Sequence, residues 1–89
     1  GYRDGIYAGS AYGFGDVIQV SVTIQNGKMT DIAVLDASGE DKPYYKQALP
    51  LLDEMLAVQS AEVDTVSGAT LTAEGLIGAV ENALGKAAG

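Results

Sequence analysis

The sequence predicts an α+β fold: a small antiparallel sheet of about three or more strands, followed by two helices packed on one face, in the order βββαα. Three observations predict it. The segment VIQVSVTIQ alternates apolar and polar residues at period two and runs into Asn26-Gly27, the dipeptide best suited to a type I′ hairpin turn. The segment before it, DGIYAGSAY, alternates less cleanly but at the same period. The C-terminal run LTAEGLIGAVENALGKA instead carries its apolar residues at i, i+3, i+4 and i+7.

In the first strand Tyr7, Gly9 and Ala11 fall on one side and Ala8, Ser10 and Tyr12 on the other. Gly13-Phe14-Gly15-Asp16 connects it to the second strand, and glycines this frequent let backbone approach another chain segment or a ligand closely. The second strand puts Ile18, Val20, Val22 and Ile24 inward. On the return strand KMTDIAVLDA, Ile32 and Val34 share a face while Met29 falls out of phase, so a bulge or twist is expected near Thr30-Asp31. ASGEDK is a turn-rich loop, and Pro43 suits the first turn of a helix. PYYKQALPLLDEMLAVQ has helical spacing through Tyr45, Leu49, Leu52 and Leu56, but Pro50 lacks an amide donor, so the region forms either two short helical pieces or one helix starting at Leu49 to Leu51. In the last helix Ala73, Leu76, Ile77, Val80, Ala83, Leu84 and Ala87 make the buried stripe, opposite Glu74, Glu81, Asn82 and Lys86. Gly75 and Gly78 each cost about 0.5–1 kcal/mol relative to alanine, which points to something packed close against that helix; a second helix or a ligand would each serve.

The 89 residues, 47% of them apolar, suit one domain spanning 1–89. The net charge of −7 opposes nucleic acid and anionic membrane surfaces, and no apolar run approaches a membrane span, so no nucleic acid and no direct membrane insertion are expected. Without cysteine or histidine, thiol catalysis, Fe–S clusters, zinc chemistry and Ser-His-Asp catalysis are excluded. Carboxylate, hydroxyl, lysine and tyrosine chemistry remain, as does chemistry brought by a cofactor. No basic-plus-apolar leader opens the chain, which fits a cytosolic protein, a mature one or a module of a longer chain.

The stretch DTVSGATLT, residues 64–72, crowds hydroxyls and small side chains at the mouth of the last helix. A helix N-terminus exposes unpaired amides and about half a positive charge, so it binds anions readily. Ser67-Gly68-Ala69-Thr70 lets those amides converge, and Ser67, Thr70 and Thr72 add hydroxyl donors. The plainer reading is that one of these three hydroxyls caps the helix. The strict capping box is absent, because the residue three before Glu74 is Leu71; GFGDVI lacks the third glycine of GxGxxG, and no GxxxxGK[ST] occurs.

DTVSGATLT resembles the D-x-[VA]-[ST]-G-A-[TS]-x-T signature of the FMN-binding domain family. That family includes flavin subunits of sodium-pumping and Rnf-type respiratory complexes and modules of fumarate-reductase-like and extracellular electron-transfer proteins. The likeness runs nearly end to end: the opening strands with their Gly-aromatic-Gly turn, SGEDKP in place of a Glu-Thr-Pro-type loop, and the closing signature with its helix. The resemblance implies an FMN-carrying electron-transfer module, FMN being joined through a phosphoester to Thr70 by a separate Mg²⁺-dependent flavin transferase that uses FAD, or else bound non-covalently. It implies an extracytoplasmic place, periplasmic or at the cell surface, in a membrane-associated complex, and a redox partner protein or domain.

On that reading the cofactor-binding residues are Ser67, Gly68, Ala69, Thr70 and Thr72 at the helix mouth, Gly13, Phe14 and Gly15 in the turn, and Glu40 in the loop, with no catalytic residue and no metal. Phe14 is the first aromatic candidate for the flavin ring, followed by Tyr12, Tyr44 and Tyr45. Asp41 and Lys42 depart from the Thr-Pro pattern of that loop. Asp64 fits the signature's leading acid, recognised by the transferase or simply solvated, and Lys42 and Lys46 either support a reduced anionic flavin or are solvated. The charge of −7 should hold the flavin potential low, and suits a basic partner whose docking weakens in salt. A second reading keeps the fold as a non-redox interaction domain with the flavin site vacant. A carboxylate hydrolase ranks last, since no acidic pair has a catalytic arrangement.

Overall fold

The computed structural model describes residues 2–65 and 68–88. Three strands, β1 (Gly5–Tyr12), β2 (Val17–Gln25) and β3 (Lys28–Asp36), form an antiparallel sheet in the order β1-β2-β3. Three helical segments follow: α1 (Lys42–Ala48), α2 (Pro50–Val58) and α3 (Thr70–Ala87). The α+β class and its element order are as the sequence predicts. Of the two possibilities for the Pro50 region, the two-piece one is found. The pieces meet at Leu49, whose φ of −54° and ψ of −38° are still helical, so the missing Pro50 donor interrupts the ladder without turning the chain far.

Asn26 and Gly27 take φ of 55° and 76°, as a type I′ turn requires, and Asp4 fastens the turn from outside. Its two carboxylate oxygens accept the Asn26 and Gly27 amides, each at 3.0 Å. Ile24 pairs with Met29 and Thr23 with Asp31, so the extra residue is Thr30 and the bulge lies where Met29 falls out of phase. The bulge restores Met29 to the inner face, where it joins Ile18, Val20, Val22, Ile24 and Ile32 in the core.

The helices cover that inner face, Leu51, Leu52 and Met55 coming from α2 and Ala73, Leu76, Ala79, Val80, Ala83 and Leu84 from α3. α3 lies directly on β1. A Cβ on Gly9 would overlap the Ala79 carbonyl oxygen, one on Gly78 would stand 2.9 Å from the Ala11 methyl, and one on Gly75 would stand 2.7 Å from the Gly13 Cα. The close neighbour of the two helix glycines is therefore strand β1, in place of a second helix or a ligand. The reason is geometric: β1 offers Gly9 and Ala11 on its inner side and Gly13 follows directly after it, so the helix backbone can sink onto them.

Side chains also cover both sheet edges in part. Lys86 Nζ donates to the Ala8 carbonyl at 2.6 Å, and Asn82 Oδ1 accepts the Ser10 amide at 3.1 Å. On the β3 side Gln59, left-handed at φ 57° at the end of α2, accepts the Met29 amide and donates to the Met29 carbonyl, both at 2.8 Å. An edge whose amides and carbonyls are occupied in this way cannot pair there with another strand.

Candidate functional site

At the start of α3 the N-cap position is Ala69, with φ −136°, ψ 34° and no side-chain capping bond. Neither Thr70 nor Thr72 caps the helix, because both already lie inside its first turn, one exposed and the other buried. Ser67 lies outside the described residues. The Ala73 amide makes the first α-helical bond, to the Ala69 carbonyl at 2.9 Å, and no described residue accepts the Leu71 or Thr72 amide. The mouth of α3 therefore has donors to spare, as an anion site needs.

A cleft of about 290 Å³ opens there, lined by Phe14, Tyr44 and residues 68–72. Phe14 and Tyr44 meet edge to face, their ring centroids 6.3 Å apart and their planes at 67°. Both rings stay accessible, Phe14 at 56% and Tyr44 at 40% of full exposure, and Leu71 adds apolar surface at 55%. The cleft thus joins an amide-rich end to an aromatic wall. Of the residues singled out from the sequence, Gly68, Ala69, Thr70, Thr72 and Phe14 line it.

Thr72 is only 1% exposed, and its hydroxyl oxygen is buried without a hydrogen-bond partner. A buried unpaired hydroxyl costs about 1–3 kcal/mol. The residue lines the cleft, with its hydroxyl oxygen buried behind that wall. It also stands near the Glu40 carboxylate, close enough to help hold that group's pKa down yet outside hydrogen-bonding geometry.

Glu40 is placed differently. Its Oε1 accepts the Phe14 amide at 2.9 Å and its Oε2 the Gly15 amide at 3.0 Å. Desolvation pushes its pKa up, but the Gly15 and Phe14 amides, with smaller help from Thr72 and the Asp16 amide, outweigh that and leave it lowered. Glu40 lines a separate hollow of about 310 Å³ along the end of β3, with Val34, Asp36, Lys42 and Tyr45. Burial raises the Tyr45 pKa there.

Gly13 and Gly15 serve close chain packing. A Cβ on Gly13 would stand 2.5 Å from Glu40 Oε1, and one on Gly15 would overlap the Gly39 carbonyl. Tyr12 sits exposed on the outer side of β1 and Tyr45 in the separate hollow, so Tyr44 is the aromatic that joins Phe14. Lys42 belongs to the hollow and Lys46 to the exposed side of α1. Leu71 is a lining residue that the sequence marks only as an apolar side chain interrupting a run of hydroxyls at a helix mouth. Among the described residues no three acidic side chains converge as metal ligands, and no helix is long and apolar enough to cross a membrane.

Comparison with known proteins matches residues 13–85 to the family described as FMN-binding domain. An uncharacterized protein of Treponema pallidum (strain Nichols) is 37% identical over 83 residues, which cover 92% of this chain and 23% of that protein. The chain therefore spans about a quarter of its relative's length. The matched family region takes in the turn, the loop and the whole helix mouth.

Proposed function

The chain belongs to the FMN-binding domain family, and on that premise we propose that it is an electron-transfer module carrying FMN at the mouth of α3, joined through the phosphate to Thr70. The observation that carries this reading is a helix N-terminus, without a side-chain cap among the described residues, opening into a cleft with a phenyl and a phenol on its wall and an unpartnered hydroxyl buried behind it. These residues fit FMN. The Leu71 and Thr72 amides and the helix dipole would hold the phosphate, the Thr72 hydroxyl would gain the partner it lacks, and the wall of Phe14 and Tyr44 would lie against the flat, apolar ring. When bound, the flavin supplies one- and two-electron chemistry; the protein supplies binding, orientation and electrostatics.

Thr70 is the exposed residue of the first turn, reachable by a second protein, whereas Thr72 at 1% exposure is too covered for a transferase to reach. A flavin transferase would form the bond between Thr70 Oγ and the FMN phosphorus as the P–O–P bond of FAD breaks, AMP leaving and the hydroxyl proton passing to solvent or to AMP. No electron is transferred in that step. The remaining phosphodiester charge would lie against the helix dipole, which offsets its repulsion from a chain of net charge −7. A redox protein or domain, and an extracytoplasmic location, complete the proposal by family membership.

The test is to co-express the chain with a flavin transferase and record an intact mass and a visible spectrum before and after denaturation. A yellow species heavier by FMN minus water, unchanged by denaturation and abolished in Thr70→Ala, is the expected result. A colourless product of unchanged mass that also fails to bind added FMN would refute the proposal.

A further inference from the structure

Glu40 does not line the helix-mouth cleft, yet both of its carboxylate oxygens are committed to the turn that carries Phe14. The two amides that it accepts lie on either side of the Phe14 Cα: one is Phe14's own, the other belongs to the next residue. Fixing the peptide planes before and after a residue fixes its φ and ψ, and with them the direction of its Cα–Cβ bond. The Phe14 ring needs such a device. It is 56% exposed and has one ring contact, the edge-to-face meeting with Tyr44, so side-chain packing around it is too sparse to hold it.

The surrounding backbone is shaped to bring the carboxylate there. Glu40 reaches the turn because Gly13, Gly15 and Gly39 leave no Cβ between the two loops; one on Gly39 would stand 2.5 Å from the Asp16 Cβ. The Gly13 amide closes the turn on the Asp16 carbonyl at 3.0 Å, and Asp16 Oδ1 accepts the Val17 amide at 2.7 Å. The Phe14 and Gly15 amides thus point out of the turn, and Glu40 takes both, with the Asp16 amide a weaker neighbour of the same carboxylate.

We propose that Glu40 is a positioning residue for the flavin ring, holding Phe14 as a wall of the helix-mouth cleft through the Phe14 and Gly15 amides without touching the cofactor. This assignment rests on the FMN reading. It differs from a direct contact between Glu40 and flavin, because the effect of Glu40 passes through Phe14 and vanishes when Phe14 is removed.

The test uses Glu40→Gln, Phe14→Ala and the double variant. Glutamine keeps the length of the side chain but can accept through one oxygen only, so one amide is left facing an NH₂ group. Without cofactor, amide hydrogen exchange read by NMR should quicken at Phe14 and Gly15 in E40Q and stay unchanged at Asn26 and Gly27, which Asp4 holds. With FMN itself as the probe, fluorescence titration should give a Kd about tenfold weaker in E40Q and in F14A, and the bound-flavin absorption band should shift alike in both. The double variant should be no weaker than F14A, since two changes acting through one contact do not add.

The positioning role is overturned if E40Q releases both amides and still binds FMN as the wild type does, or if the two losses multiply in the double variant. Should E40Q not fold, F14A decides, its ring being exposed: an unchanged Kd and flavin band would overturn the role. Wild-type protein that neither binds FMN nor is loaded by a transferase would refute the flavin reading as well, whereas wild-type binding with an indifferent E40Q would refute this inference alone.

Discussion

Replacing Thr72 by valine should strengthen the cofactor-free protein and weaken the cofactor complex, an opposition of sign that few single substitutions offer. The side chain is 1% exposed and its hydroxyl oxygen has no partner. Leaving such a group unsatisfied costs about 1–3 kcal/mol. Valine puts a methyl in nearly the same volume, so T72V should recover about 1 kcal/mol of that, allowing for imperfect fit. In a domain of this size about 1 kcal/mol raises the melting temperature by about 4–8 °C. In the complex the hydroxyl is expected to donate to a charged phosphate, a bond worth about 1.5–3 kcal/mol, so FMN affinity should fall about tenfold or more. Urea unfolding of both proteins, with and without FMN, gives the two numbers in one experiment. A T72V protein less stable than wild type by about 1 kcal/mol without cofactor would refute the reasoning. It would mean that the hydroxyl is bonded to Glu40 in solution and is not held in reserve for a ligand.

Two further outcomes test the framework around the site. Gly9→Ala should cost about 1–3 kcal/mol or more in urea unfolding, because the new methyl would fall on the Ala79 carbonyl oxygen and force α3 off β1. The Gly27 amide, then the Asn26 amide, lowers the pKa of Asp4, while the turn amides outweigh desolvation to lower that of Glu40. Both groups therefore stabilise the fold above the ordinary carboxylate range of about 4 and lose that contribution as pH falls through their lowered folded values. Asp4→Asn should flatten part of the acid limb of a stability–pH curve; an unchanged limb would show that the hairpin clasp contributes nothing.

Local patterns carried most of the fold. The hairpin, its bulge and the α3 stripe were legible because each depends on side-chain period and on two turn residues. The partner of Gly75 and Gly78 was not legible, since the pairing of a small-residue helix face with a small-residue strand is set only when α3 is laid on β1. At the site, the hydroxyl-rich helix mouth could be read from composition. The difference between Thr70 and Thr72 could not, because residues two apart in a helix fall on different sides only once the helix start is known, and Ala69 fixes it. Glu40 was legible as a loop acid near a proline, but the amides that donate to its carboxylate lie about two dozen residues earlier in the chain, in the glycine turn.

The division of labour among the small residues makes the flavin reading physically consistent. Gly9, Gly13, Gly75 and Gly78 let α3 approach β1 by removing side chains between them, while Gly15 and Gly39 let the loop approach the turn. Both closures bring groups toward one end of α3, the first seating the helix and the second delivering Glu40 to the amides around Phe14. A chain selected for stability alone would be expected to spend a serine, threonine or aspartate cap on its longest helix, worth about 1 kcal/mol. Here Ala69 takes the N-cap position with no side-chain cap among the described residues, and a buried hydroxyl within the first turn goes unpaired. Two such costs side by side, at a helix mouth that opens onto an aromatic wall, are what a site looks like when its missing hydrogen bonds are to be supplied by a bound anion.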